Sequence, residues 1–333
     1  MMYFISCEKE TEPVTKNPDV QLSTLKVNNG ILEFNSADEY FKSEAQILNL
    51  PENELDKWEK QIGFESMRSV INNAYDELDL VELEEDFYNV MDKYRDVLTI
   101  QDSVVRPIVE DIFLQSITSR EGLYSSVSHF NKVLPDGVVS INKQHDIKVL
   151  KSVTNLNDAN SNHELIVYKP DYEASRLKST GCGASSIEAS ATKNASKCKD
   201  RRRVFVSMVT AKRKYSYSNG EYAERYSVWV QVTAERMLGV VCLWKRYDTF
   251  LEFKNVNYKI RAPYYFPDFQ WMTYTDATNW WGRSDGDAYT LTRIKNTGDL
   301  IYNVTLPTPT FISVHAEASS RGVGDLWAVV DCD

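Results

Sequence analysis

The sequence predicts an α+β protein: an α-rich N-terminal half followed by an antiparallel, β-sandwich-like C-terminal domain. The first observation behind this is the stretch Arg225–Arg246, RYSVWVQVTAERMLGVVCLWKR. Its Tyr226, Val228, Val230 and Val232 alternate with Ser227, Trp229, Gln231 and Thr233, the period of two of a strand buried on one face. The run Val240–Trp244 is apolar on both faces, as in the middle of a packed sheet. The second observation is the opposite pattern ahead of Leu98, where apolar residues recur at helical spacing. The third is size: 333 residues, 42% hydrophobic, are enough for two domains with a substantial core.

Taken in order, the chain opens Met1-Met2-Tyr3-Phe4-Ile5-Ser6-Cys7 and turns polar from Glu8. A short apolar run, a small residue and a cysteine form the end of a bacterial lipoprotein signal, with Cys7 as the lipid anchor. The residues up to about 28 are then a tether. Ile31–Phe34 reads as a short strand and Ser36-Ala37-Asp38-Glu39 as a capping box. Tyr40, Phe41, Ile47 and Leu48 follow at helical spacing. Pro51 suits the first turn of the next helix, which carries Leu55, Trp58 and Ile62 on one face and ends at Gly63. Further helices are expected over Glu65–Leu78 and Glu82–Leu98. The four carboxylates between Glu82 and Asp86 complement the dipole at a helix start. Pro107–Ile117 reads as another helix or a docking segment of mixed character, and Val138–Ile141 with Ile147–Leu150 as a hairpin. The polar stretch Ser175–Lys197 lacks apolar periodicity and marks a boundary. The resulting division is 1–28, signal remnant and tether; 29–174, α-rich domain; 175–202, cysteine-flanked polar loop; 203–333, sandwich-like domain.

The net charge of −10 is unevenly placed: residues 1–150 hold 14 Lys and Arg against 28 Asp and Glu, leaving the rest mildly basic. This acidity argues against nucleic acid as a partner. No run of about 18 apolar residues exists, so membrane association is expected through the anchor at Cys7 and not through a spanning helix. The basic cluster Lys197–Arg203, KCKDRRR, reads as a solvated junction between loop and strand.

Besides Cys7 the cysteines are Cys182, Cys198, Cys242 and Cys332, which allow three connectivities. Cys182 and Cys198 bracket a loop rich in Ser, Ala, Lys and Asn, and a bridge between them would staple it. Cys242 with Cys332 would then tie the chain end to a central strand. Neither a nucleophilic cysteine with a histidine partner nor a close C-x-x-C zinc pair can be recognised. Walker A, G-x-S-x-G, H-E-x-x-H and dinucleotide fingerprints are also missing, so no catalytic residue, cofactor or metal is assigned. Arg283–Asp287, RSDGD, lacks the twelve-residue calcium-loop pattern and reads as a hairpin turn.

Tyr258–Gly282 holds nine aromatics in 25 residues. Such rings stack on sugar C–H faces while nearby polar side chains grip hydroxyls. The candidate ligand-binding set is therefore Tyr264, Tyr265, Trp271, Trp280 and Trp281, with Asp276 and Asn279. Trp280 and Trp281 are adjacent, so one ring should join the core and the other face outward.

The Ile5-Ser6-Cys7 start, the segments ILEFNSADEYF and LDKWEKQIGFESMRSVINNAYDEL, and the closing SRGVGDLWAVVDC together resemble the uncharacterised cell-envelope lipoproteins of Bacteroidetes. The resemblance implies location, a lipid-anchored protein of the outer membrane or facing the periplasm, and lends no catalytic residues. The expected function is a binding module for glycan or another envelope protein. The alternatives are a glycan- or peptide-acting hydrolase and a purely structural envelope protein.

Overall fold

The computed structural model describes residues 22–168, 182–217, 219–265 and 269–332. Cys7, the expected anchor, lies outside them. The fold is α+β, with helices gathered in the N-terminal part and long strands dominating the rest.

The first half begins with strands β1 (Lys26–Asn28) and β2 (Ile31–Glu33). Helix α1 (Ala37–Asn49) follows its expected cap: Ser36 Oγ accepts the Glu39 amide at 3.1 Å. Glu39 reaches back one residue further than expected, accepting from the Asn35 amide at 2.5 Å. Helix α2 (Glu52–Ile62) starts after Pro51 and ends at Gly63, whose φ of 67° is the left-handed cap that glycine adopts without strain. Helices α3 (Met67–Asp79) and α4 (Glu84–Lys93) come next. Helix α4 stops before the expected Leu98, which instead opens β3 (Leu98–Gln101), paired with β4 (Val104–Pro107). Of Pro107–Ile117 only α5 (Ile112–Ile117) is helical, capped by Asp111. Strands β5 (Leu123–Ser125), β6 (His129–Leu134) and β7 (Gly137–Asn142) follow. Then come helices α6 (Ile147–Ser152) and α7 (Leu156–Asn160), and strand β8 (Leu165–Tyr168).

The hairpin expected across Val138–Leu150 is not formed. β7 pairs with β6 and β8, while Asp146 caps the Lys148 amide and turns Ile147–Ser152 into helix. Ile147 and Leu150 are three apart, a spacing that serves a helix face as well as a strand. The first half therefore carries its own six-stranded sheet, ordered β1-β2-β5-β6-β7-β8.

The second half holds β9 (Ser186–Lys193), β10 (Arg202–Ser216), β11 (Tyr222–Met237) and β12 (Trp244–Arg246). Then follow β13 (Leu251–Tyr265), β14 (Phe269–Arg283), β15 (Thr290–Thr297), β16 (Ile301–Tyr302), β17 (Thr310–Ser320) and β18 (Ala328–Cys332). One sheet is ordered β3-β4-β12-β11-β10-β9, with β15 and β16 also on β11; the other is β14-β13-β17-β18. They pack as a sandwich: Val204, Val206, Met208, Val228, Val230 and Val232 face Phe253, Ile260, Phe311 and Val314. The alternation in β11 thus points its even-numbered valines into the sandwich. The other face of the same sheet meets the helices through Val209, Ala211, Tyr215 and Trp229. The eight-stranded sheet is consequently the central layer, and residues of the first half complete it, because β4 pairs in parallel with β12.

The run Val240–Leu243 is not a strand in a packed sheet. It forms the turn between β11 and β12, where Cys242 has a φ of 51°, and its Val240, Val241 and Leu243 pack against the helical core. Arg283–Asp287 is likewise no hairpin turn, since β14 belongs to the outer sheet and β15 to the central one.

All four of Cys182, Cys198, Cys242 and Cys332 form bridges, with the pairing exchanged. Cys182 joins Cys332, with Cα atoms 5.6 Å apart, and Cys198 joins Cys242 at 5.4 Å. The physical reason is β9. The small-residue stretch read as a loop contains an edge strand of eight residues, which spans roughly 26 Å at about 3.3 Å per residue. Cys182 and Cys198 therefore sit beyond opposite ends of one strand. Cys182 lies where Gly183 donates to Phe311 O, beside the pairing of Val314 with Cys332. Cys198 lies at the turn into β10, where Met237 donates to Arg201 O.

Candidate functional site

The expected aromatic set is divided by the β13–β14 hairpin. Trp280 turns inward and meets Phe253 edge-on at 5.2 Å, as part of the sandwich core. Gly282 makes room for this, because a Cβ there would collide with the Phe253 ring. Trp281 and Trp271 face outward, 50% and 39% exposed. Arg283 lies over the Trp281 ring at 5.3 Å and Arg261 over Trp271 at 4.7 Å. Asp276 pairs with Lys295 at 3.5 Å, so this carboxylate is already engaged. Tyr264 is half-buried at the far end of the hairpin. The side chains of Tyr265 and Asn279 lie outside the described residues. Two exposed rings on one sheet face remain, about ten residues apart along β14.

A more complete site lies on the opposite side of the sandwich, where the helical layer stops short of the end of the central sheet. The register of β9, β10 and β11 aligns twelve side chains of one face in four rows. Thr192, Arg203 and Glu235 form the first row; Ser190, Phe205 and Thr233 form the second. Glu188, Ser207 and Gln231 form the third; Ser186, Val209 and Trp229 form the fourth. All twelve line a groove of about 540 Å³, walled on one side by Gln101, Asp102 and Arg106 of the β3–β4 hairpin. From Trp229 to Glu235 the floor runs roughly 20 Å at about 3.3 Å per residue.

The sequence explains why the face is open here. In β10 this face carries Val209, Ala211, Arg213 and Tyr215 toward the helices, and Arg203, Phe205 and Ser207 in the open groove. In β11 the same change runs from Trp229 to Gln231, Thr233 and Glu235. The signal was therefore a partial shift toward polar residues within one face, since Arg213 and Ser227 are covered and Phe205 is not, and strict alternation alone does not reveal it.

Several polar groups in the groove are fixed. Arg203 pairs with Glu235 and lies over the rings of Trp244, at 4.1 Å, and Phe205, at 4.8 Å. Arg106 pairs with Glu110 at 3.5 Å. The hydroxyls of Ser186, Ser190, Ser207 and Thr192 can both donate and accept. Two donors stand out. Trp229 is only 3% exposed and its Nε1 has no hydrogen-bond partner, and the Nε of Arg106 is buried without one as well. An unpaired buried donor costs about 1–3 kcal/mol, which a ligand bringing an acceptor oxygen would recover.

In the basic cluster Lys197–Arg203 the arginines are held in place, while Lys197 and Lys199 are exposed. Arg201 donates to Ala195 O, Arg202 to the carbonyls of Lys199 and Arg201, and Arg203 to Glu235. Among the described residues no group of three or more His, Cys, Asp or Glu is arranged to hold a metal ion. Among the described residues no helix is long and apolar enough to cross a membrane.

No protein-family model matches the chain, and no curated protein matches it. Among solved structures, the chain is similar to the crystal structure of a DUF4848 family protein from Bacteroides thetaiotaomicron. The two share 14% identity over 92% of this chain and 99% of that one, with a TM-score of 0.31.

Proposed function

We propose that this is a cell-envelope binding module that holds a linear glycan along the groove on β9, β10 and β11. The observation that carries the reading is the twelve-residue polar floor with the unpartnered Trp229 Nε1 beneath it. A sugar chain brings hydroxyl and ring oxygens at regular intervals, which suits a strip of hydroxyl, amide and ring faces repeating along strands. Binding is favoured over hydrolysis because three of the five carboxylates lining the groove, Glu235, Glu110 and Asp111, are held in ion pairs with arginines. Attachment to the envelope would be through lipid at Cys7.

Trp229→Phe is the informative variant, since it keeps a large ring and deletes the orphan donor. On a glycan array and in affinity electrophoresis it should bind about tenfold more weakly, while its melting temperature holds or rises because an unpaired buried donor is gone. Undiminished glycan binding by Trp229→Phe and by Gln231→Ala would exclude the groove. A second reading rests on the half-exposed Trp271 and Trp281, which offer ring faces on the outer sheet. Loss of array binding in Trp281→Ala with the groove variants unaffected would favour it. Metabolic labelling with palmitate, compared between the wild type and Cys7→Ser, tests the anchor.

A further inference from the structure

A second cleft, of about 360 Å³, lies between the start of α2 and the segment joining β14 to β15. Its volume falls at the lower end of ligand pockets, which span about 300–1,000 Å³. Three kinds of surface meet in it.

One wall is electropositive. Pro51 caps α2 without a side-chain hydrogen bond, and of the first-turn amides only that of Glu54 donates within the helix, to Pro51 O at 3.1 Å. Beside them Arg293 donates through Nη1 to the carbonyls of Thr292 at 2.8 Å, Leu50 at 3.4 Å and Leu48 at 3.5 Å. No carboxylate among the described residues lies within ion-pair distance of it. Burial accordingly pulls the Arg293 pKa down to about 10, only partly offset by Asp285. Thr292, 5% exposed, lines the same cleft and its buried hydroxyl has no partner.

The second wall is electronegative. Asp248 and Asp287 line it, and neither has a salt-bridge partner among the described residues. The Asp248 carboxyl is pushed up to about 6, by burial first and then by Asp287, Glu52 and Asp76. Lys245 offsets this only in part, and Arg246 and Arg68, which also line the cleft, form no ion pair with either carboxylate. The lining also includes the aliphatic Leu48, Leu50 and Leu55.

Charged groups of both signs outside any ion pair, together with aliphatic side chains in one small cleft, are complementary to a small zwitterion. We propose that this cleft binds an α-amino acid, its carboxylate at Arg293, Thr292 and the start of α2, its ammonium at Asp248 and Asp287, and its aliphatic side chain on Leu48, Leu50 and Leu55. The neighbouring Glu52 does not compete for the ammonium, because Arg68 and Asn72 already hold it. This site is independent of the glycan groove, with which it shares only Arg246 among its lining residues.

The test is isothermal titration of the full chain with three probes that share one side chain: L-leucine, L-leucinamide and N-acetyl-L-leucine. L-Leucine should bind, and removal of either charge should weaken binding about tenfold or more. Arg293→Gln should abolish the preference for leucine over leucinamide, and Asp248→Asn the preference over N-acetyl-leucine. The absence of any heat with L-leucine at about 10 mM, or equal affinity for all three probes, overturns the proposal. Because the wild-type protein alone separates these outcomes, the test stands even where a variant folds poorly.

Discussion

Arg213 of β10 and Glu44 of α1, 169 residues apart, meet in the interior: Arg213 Nε donates to Glu44 Oε1 at 2.6 Å. Both side chains are almost fully buried, and Asp111 at the cap of α5 takes the other edge of the guanidinium. Ser227 Oγ adds a donor to the same Glu44 oxygen at 3.1 Å. The guanidinium also lies over Phe113 at 4.8 Å and Trp229 at 5.3 Å. One residue thus joins the helical layer to the central sheet.

Arg213→Ala should therefore destabilise by about 3–5 kcal/mol, since two buried carboxylates lose their counter-charge. The triple replacement Arg213→Met, Glu44→Leu, Asp111→Ala should recover much of that loss, because it leaves no buried charge unpaired. Urea unfolding followed by tryptophan fluorescence measures both. A cost below about 1 kcal/mol for Arg213→Ala would mean that water reaches the pair.

Such long-range pairs mark where reading the sequence stops. Ser36, Gly63 and the even-numbered valines of β11 report on neighbours a few residues away, so caps, helices and the sandwich face were legible. Arg213 reads simply as one cation of a strand. Nothing in the local pattern distinguishes the Ser- and Ala-rich β9 from a loop, because an edge strand need not bury a continuous apolar face. That single strand decided the disulfide pairing. The groove was missed for a related cause: its twelve side chains come from three strands whose register is a property of the sheet. The aromatic stretch was visible as composition, but only pairing with β13 separates the inward Trp280 from the outward Trp281.

The raised pKa of Asp248 makes a signed prediction. Its folded value of about 6 lies above the unfolded value near 3.9, so the native state holds the proton more tightly between those limits. This contribution favours folding at low pH and is lost as pH rises through about 6. Asp248→Asn should remove that downward slope and raise the melting temperature slightly at pH 7. The gain should stay under about 1 kcal/mol, because the carboxylate is partly solvated and screened. Melting curves of both proteins from pH 4 to 8 provide the check, and parallel curves would show that Asp248 does not feel its acidic neighbours.

The bridges should differ in weight. Cys198–Cys242 closes 44 residues and Cys182–Cys332 closes 150. Chain entropy alone assigns roughly 4 and 5 kcal/mol to loops of those lengths. Replacing Cys182 and Cys332 with Ser should thus cost somewhat more than replacing the other pair, and should free β18 at the edge of the outer sheet. Non-reducing peptide mapping should recover the 182–332 and 198–242 peptides. Recovery of a 182–198 peptide would contradict the position of β9.

The last prediction separates two adjacent tryptophans. Trp280 packs on Phe253 and also receives Lys295 over its ring at 4.9 Å. Its truncation opens a void beside Val256, with which it pairs across the hairpin. Trp281 points the other way, donating its Nε1 to Glu252 Oε1 at 3.0 Å on the exposed face. Trp280→Ala should cost about 2–3 kcal/mol, somewhat below a fully buried tryptophan. Trp281→Ala should stay within about 0.5 kcal/mol, because an exposed hydrogen bond is readily replaced by water. Thermal melts of the two single variants decide this directly. If both lower the melting temperature equally, Trp281 is part of the packing and the outer face offers no ring to a ligand. If Trp281→Ala is silent in the melt yet weakens retention on a glycan matrix, the exposed ring contributes to binding alongside the groove.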